Sequence, residues 1–329
     1  MDKESVIRST PCGEACGAES LSRIPFDSNP YISKYLKGAK FIYPDGTCSY
    51  LYKSSVTIDR TNWLRGMAQE IKARGGQIRL DSEVVEVRED YVQVRNGERI
   101  DYDILIGADG PNSRIAGHMG IKQHFTTACQ YKLAYDTSDM DYLEFYIDRR
   151  FSSDYSWIFP KDGVINVGTG GNFAKLDAFL IHKGFGSHKV IEKEAGILPT
   201  SGMQRVIWRN IALIGDAASI TNPFSGGGLT PIIYASEILA RHITSLEDYE
   251  KEVRKHPISS PVLFKSRQAL LQLTESDAVG LLSFITGDFY SKVKLIRLDD
   301  IGKILSLLTK LGVLINTYRA IRISKTYGW

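Results

Sequence analysis

Two short apolar runs, ILIG at 104–107 and IALIG at 211–215, each stop at a glycine, with Asp109 two residues beyond the first and Asp216 directly beyond the second. Runs this short, nearly all apolar and bounded by turn residues, read as strands of a parallel sheet covered on both faces. The first is expected to span 102–107 as a central strand. A helix follows each, opened by Ser113-Arg114 in one case and by Gly226-Gly227-Gly228 in the other. Strand, turn and helix in that order make an α/β layer, whose ligands sit at the carboxyl ends of the strands. The stretch between the two runs, 125–206, is strand-rich and alternating, which predicts an antiparallel sheet inserted into the layer. Earlier, AKFIYPDGTCSYLY reads as a hairpin turning at Pro44-Asp45-Gly46. In IDRTNWLRGMAQEIKARGGQI, Trp63, Met67 and Ile71 share a helical face, Thr61 is the expected N-cap and Gly75-Gly76 the stop. The domains therefore interleave: an α/β layer from 1–30, 59–124 and 207–245, a β-sheet domain from 31–58 and 125–206, and a helical region over 246–329.

Composition narrows the function classes. With 329 residues, 43% apolar and 24% charged, the chain has the make-up of a soluble globular protein with room for two domains. A net charge of +3 is too small over this length to argue for nucleic acid. Cys12, Cys16, Cys48 and Cys129 form no paired framework and no signal peptide precedes them, so a reducing cytoplasm is expected. No second cysteine or histidine pair completes a metal site. No apolar run reaches the ~18 residues needed to span a bilayer.

The chemistry-bearing candidates lie at the strand ends. A carboxylate at Asp216 can accept hydrogen bonds from ligand hydroxyls, and Pro223 leads into glycines 226–228, which let a ligand approach the backbone at a helix N-terminus. Gly215 and the Asp109-Gly110 turn complete the set; a tight capping turn remains the alternative at both places. Strand-DG, a sheet-rich insertion and strand-GD, in that order, resemble the flavin-dependent hydroxylase superfamily. There Arg60 falls where an arginine often lies near the flavin, a plain surface residue being the equal alternative. Tyr155-Ser-Trp157-Ile-Phe159-Pro160 followed by Gly168-Thr-Gly170 is similar to the YxWxFP…GxG signature of geranylgeranyl reductases, and Pro11-Cys12-Gly13-Glu14-Ala15 resembles their PCG segment. Alternation puts Tyr155, Trp157 and Phe159 on one face of a strand; a plain core face is the competing explanation.

That resemblance implies an FAD/NAD(P)-binding, hydroxylase-like α/β fold with an antiparallel substrate sheet and a helical C-terminal region. It implies FAD as cofactor, held by Asp2, Cys12, Gly13, Arg60, Asp109, Gly110, Gly215, Asp216, Pro223, Gly226, Gly227 and Gly228. The implied substrate is an isoprenoid or prenyl lipid met by Tyr155, Trp157, Phe159, Pro160, Gly168 and Gly170, in an apolar tunnel ending near Cys12 and Gly226. An external donor, NAD(P)H or ferredoxin, would supply electrons, and Cys12 would be the catalytic acid, a small packing residue being the alternative. Members of this superfamily begin with strand, GxGxxG and helix. No GxGxxG occurs here, so about 30 residues of such a front end are expected to be absent, with Asp2 or Glu4 at the acidic end of the second strand. Two rival functions share these motifs: a flavin-dependent monooxygenase and a non-catalytic, lipid-binding paralogue. From Ser291 onward lysine and arginine outnumber aspartate, and IGKILSLLTKLGVLINTYRAIRI mixes apolar residues with sparse cations; such a helix can lie on an anionic membrane surface, packing on the domain being the commoner alternative.

Overall fold

The computed structural model describes residues 1–286 and 310–328. Residues 287–309 and Trp329, which include part of the stretch expected to meet a lipid surface, lie outside the described residues. Strand β1 (Ala15–Gly17) and helix α1 (Ala18–Leu21) follow the Cys12 segment, and then comes the hairpin of β2 (Ile32–Ile42) and β3 (Cys48–Ile58). Its turn closes as the composition demands: Gly46 takes a φ of 81°, and Asp45 Oδ1 accepts from the Thr47 N–H at 3.0 Å. Helix α2 (Arg60–Ala73) is capped by Asp59, whose side chain accepts from the Asn62 N–H, rather than by Thr61. The Thr61 hydroxyl instead accepts from the Ser9 N–H at 3.1 Å, tying the N-terminal segment to the helix. Trp63 is buried, but Ile71, one turn beyond Met67, is exposed where the helix leaves the core.

Three short strands, β4 (Val84–Val87), β5 (Tyr91–Val94) and β6 (Arg99–Asp101), form a separate antiparallel sheet. β7 (Leu105–Gly107) and α3 (Arg114–His118) precede β8 (Phe125–Ala134), β9 (Leu143–Tyr146), β10 (Ser156–Lys161) and β11 (Val164–Gly170). Helix α4 (Phe173–His182) and β12 (Val190–Pro199) complete the inserted region. The large sheet has eight strands in the order β1-β3-β2-β9-β10-β11-β8-β12. It is antiparallel apart from β2 and β9, which run parallel, so the hairpin and the inserted region share one sheet. Ala15–Gly17, within the segment expected to belong to the α/β layer, pairs with β3 at the edge of this sheet.

The chain then returns through β13 (Ile207–Trp208) and β14 (Ile211–Leu213) to α5 (Leu229–Arg241), α6 (Leu246–Lys255), α7 (Pro261–Gln272), α8 (Glu275–Thr286) and α9 (Leu311–Tyr327). β14 pairs parallel with β7, which unites the two apolar runs seen in the sequence. Their three-stranded sheet runs β13-β14-β7, however, and this corrects the expectation of a central strand over 102–107. β7 is an edge strand, with Ile104 38% and Ile106 43% exposed. An apolar run reports that a strand can be covered, not what covers it. Leu213, Ile214, Ala217, Ile238 and Tyr249 pack into the core beside β14, and the Tyr249 hydroxyl donates to the Leu213 carbonyl at 2.8 Å.

Candidate functional site

The Cys12–Glu14 turn lies against the large sheet, and a different strand grips each of its residues. Gln130 on β8 donates through Nε2 to the Cys12 carbonyl at 2.7 Å. Asn166 on β11 donates to the Gly13 carbonyl at 3.1 Å. Lys161 on β10 forms an ion pair with Glu14, and the Glu14 N–H in turn donates to Cys12 Sγ at 3.2 Å. Gly13 leaves no room for a side chain, since a Cβ there would stand 2.9 Å from the Phe159 ring. From Phe159 the aromatic face of β10 continues to Trp157 and Tyr155, with ring centroids 6.2 and 6.0 Å apart. Tyr155 ends at the glycine turn, donating to the Ser225 carbonyl at 2.6 Å and abutting Gly226, whose φ is 71°. Burial pushes the Tyr155 phenol well above its ordinary pKa, so it stays a neutral donor. The aromatic strand thus joins the PCG segment to the glycine turn.

Tyr155 also borders a largely apolar cavity of about 100 Å³ between the large sheet and helices α7, α8 and α9. Phe41, Phe145, Phe224, Leu270, Leu282 and Ile321 line it, with the Asp154–Arg267 ion pair, 2.7 Å apart, in its wall. Here the expectation of an aromatic tunnel needs correcting. Trp157 and Phe159 are 9% and 8% exposed and close into a core with Leu36, Ala39, Leu143 and Phe145; only Tyr155 of the three reaches the cavity. The glycines of the second half of the motif serve this packing. The Trp157 ring lies where a Gly168 Cβ would sit, and Ser152 Oγ is 3.0 Å from the Cβ position of Gly170. Pro160 offers its carbonyl to the Thr57 hydroxyl at 2.8 Å, which is a sheet contact.

Arg60 anchors the same cluster from α2. Its Nη1 donates to the Thr10 carbonyl and hydroxyl, both at 3.1 Å, while its Nε is buried without a partner. Arg60 also lies near enough to act on Asp216. Burial raises the Asp216 carboxyl above its ordinary pKa, and the Thr221 hydroxyl bond and the Arg60 charge offset only part of that. The orphaned Nε and the poorly compensated carboxylate are groups that a polar ligand would satisfy. Gly215, with a φ of 61°, abuts Ile232. Gly227 is filled by the chain itself: the Gly328 carbonyl, at the end of α9, occupies its Cβ position. Asn222 fastens this arrangement by donating to Ser324 Oγ at 2.9 Å and accepting from the Phe224 and Ser225 N–H groups. Pro223 is buried beside it, and Gly228 caps α5 through its backbone alone.

Two expected residues have other occupations. Asp109 accepts from Ser113 Oγ at 2.6 Å and the Arg114 N–H at 2.8 Å, spending its carboxylate on the start of α3. Gly110, with a φ of 78°, faces open space. Asp2 is exposed and accepts from the Glu4 N–H at 3.0 Å. The sequence reading missed Gln130, Lys132, Lys161, Asn166 and Glu194, which lie behind the Cys12 turn. A faint signal exists in CQYKLA, where polar residues at 130 and 132 alternate with apolar ones in a strand. The described residues hold no cluster of metal-ligating side chains, and no helix among them is long and apolar enough to cross a membrane.

No protein-family model matches the chain. It is similar to the digeranylgeranylglycerophospholipid reductase of Methanosarcina acetivorans, 28% identical over 69% of this chain and 64% of that protein's length. The protein of the same name from Methanosarcina mazei is 25% identical over 87% of this chain and 82% of that one. Among solved structures, a geranylgeranyl bacteriochlorophyll reductase-like protein from Thermoplasma acidophilum superposes with a TM-score of 0.76 at 22% identity, covering 87% of this chain and 84% of that one. The p-nitrophenol 4-monooxygenase of Pseudomonas putida gives a TM-score of 0.66 at 16% identity, over 95% of this chain and 90% of its own.

Proposed function

We propose that this chain, a homologue of the digeranylgeranylglycerophospholipid reductases on the fold of flavin-dependent monooxygenases and reductases, hydrogenates carbon–carbon double bonds of an isoprenoid lipid chain. FAD is the cofactor in this reading, and NAD(P)H or ferredoxin the external donor. The observation that supports it most is the aromatic strand, which runs from the Cys12–Gly13 turn to Gly226 and opens at Tyr155 into an apolar cavity. Phenyl and branched aliphatic walls favour a hydrocarbon chain, at about 25 cal/mol per Å² of apolar surface removed from water.

The residues present fit a flavin: the unpartnered Arg60 Nε suits its polar edge, and the buried Asp216 carboxylate suits hydroxyls of its side chain. When bound, that cofactor supplies a hydride to one alkene carbon. The chain's own residues do the rest. Cys12 Sγ, held by the Glu14 N–H, carries the proton for the second carbon, and solvent restores it afterwards. Tyr155 and Phe224 line the cavity beside the glycine turn, and its apolar walls suit the hydrocarbon chain of the substrate. On α9, Leu311, Ile315 and Tyr318 are exposed at helical spacing beside Arg319, Arg322 and Lys325, which supports peripheral contact with an anionic lipid surface.

A prenyl chain bearing a diazirine tests the assignment of the cavity. It should label peptides containing Leu270 or Ile321, and an unlabelled prenyl lipid should compete; labelling confined to other peptides would remove the cavity from the account. Cys12→Ser should lower turnover by roughly 10²–10⁴-fold with flavin content unchanged. Undiminished turnover would leave Cys12 a packing residue.

A further inference from the structure

Glu14 sits in a backbone conformation that glutamate seldom adopts. Its φ is 60°, in the left-handed region where glycine is at ease, and it is only 2% exposed. A buried carboxylate on a strained backbone needs compensation from its surroundings. Two lysines provide it: Lys161 pairs with one carboxylate oxygen, and Lys132 Nζ stands 3.8 Å from the other. Lys132 also reaches Glu194 at 3.4 Å and Glu192 at 2.9 Å. Burial alone would push the Lys132 amine down, yet these carboxylates hold it above its ordinary pKa, so it stays charged. Gln130 completes the layer, bonded to Glu194 and the Cys12 carbonyl and receiving the Trp157 Nε1–H at 3.3 Å.

We propose that Glu14 is a positioning residue. Its ion pairs with Lys161 and Lys132 pin the Cys12–Gly13–Glu14 turn in the left-handed form, which directs the Glu14 N–H onto Cys12 Sγ and fixes the thiol in one orientation. A glycine at position 14 would take the same φ without strain but would lose both lysines, which accounts for a glutamate where the backbone favours glycine. Among its buried groups the layer is balanced, Glu14 and Glu194 against Lys132 and Lys161, while the half-exposed Glu192 pairs with Lys132 from the rim. Removing one member alone would leave an unpaired buried charge. The catalytic importance of a fixed thiol rests on the proposed reductase function; the fixing itself does not.

The test separates the two. In the full-length chain, the double variant Glu14→Gly, Lys161→Met removes the clamp while keeping the layer neutral. Alkylation of each cysteine by iodoacetamide is followed by peptide mass spectrometry. Exposed Cys48 is the reactivity reference, and buried Cys16 and Cys129 report on the integrity of the core. Cys12 should react roughly tenfold faster than in the parent, the worth of one hydrogen bond held in place, while the other three cysteines keep their parental rates. Glu14→Gln together with Lys161→Gln, which keeps the charge balance and sets one amide against another across the same gap, should hold a rate near the parent's. With an isoprenoid substrate, the double variant should lower kcat and leave KM unchanged. If Cys12→Ser turns over normally, the role of Cys12 fails while the alkylation result still decides the role of Glu14. A Cys12 alkylation rate in the double variant within about twofold of the parent's, with the core cysteines still protected, overturns the proposal.

Discussion

Replacing Gly227 by alanine separates the two tasks its turn could serve, meeting a cofactor or seating the end of α9. An alanine Cβ would coincide with the Gly328 carbonyl, and backbone on both sides leaves little room to yield. The end of α9 must therefore lift. That breaks the Asn222 Nδ2 bond to Ser324 Oγ at 2.9 Å and the Ser225 Oγ bond to the Gly328 carbonyl at 3.0 Å. At about 1 kcal/mol for each bond, plus the cost of leaving buried Asn222 partly unsatisfied, the docking of α9 weakens by about 2–3 kcal/mol. Local opening then becomes roughly 30- to 150-fold more frequent. Hydrogen exchange read by mass spectrometry should show that acceleration in peptides covering 311–328, with α6 unaffected. Exchange in α9 within about twofold of the parent, together with a loss of bound flavin, would refute the reasoning and give the turn to the cofactor.

Three further outcomes follow from particular contacts. Gly168→Ala should destabilise the protein by about 3 kcal/mol, the upper range for overpacking, because its Cβ meets both the Trp157 ring and the Cys129 carbonyl; a thermal midpoint unchanged from the parent would contradict this. Asp216 binds its proton more tightly folded than unfolded, so its contribution to stability falls as pH rises above the ordinary aspartate range of about 4. Asp216→Asn should therefore be the more stable protein at neutral pH, an advantage that disappears on acidification, and urea titrations at several pH values would show whether the difference closes. Ile106→Lys, on the open edge of β7, should reduce self-association in light scattering at high concentration, since a charge on an exposed edge disfavours strand pairing; an unchanged particle size would count against that edge as a docking strand.

Local signals in the sequence located the elements well and their partners poorly. The Pro44–Gly46 turn, the α2 periodicity and the alternation of Tyr155, Trp157 and Phe159 depend on neighbours within a few residues, and the structure bears them out except at Ile71, which the helix turns to solvent. The eight-stranded sheet and its helical surroundings agree with the α/β flavoprotein fold that the motifs imply. What stayed hidden depends on distant residues. Nothing near Gly227 announces that Gly328 will occupy its space. Glutamate in PCGEA gives no hint of Lys161 and Lys132, which arrive on other strands. Thr61 lost the cap of α2 to Asp59, two residues earlier, because both were competent and tertiary contact with Ser9 claimed the threonine. Trp157 and Phe159 differ from Tyr155 in access to the cavity through the packing of Leu36, Leu143 and Phe145 over them, which alternation alone cannot report.

The most direct test of the central claim is mass spectrometry of a geranylgeranyl lipid after incubation with the protein, FAD and dithionite under argon. Hydrogenation adds one hydride and one proton to each double bond, so the lipid should gain two hydrogen masses per bond reduced. In deuterium oxide both of those hydrogens should be deuterium, since dithionite supplies only electrons and the hydride and the proton are both drawn from solvent, and Cys12→Ser should suppress the reaction. A lipid recovered unchanged under argon, with an oxygenated product appearing only when air and NAD(P)H are supplied, would contradict the reductase and make the chain a monooxygenase.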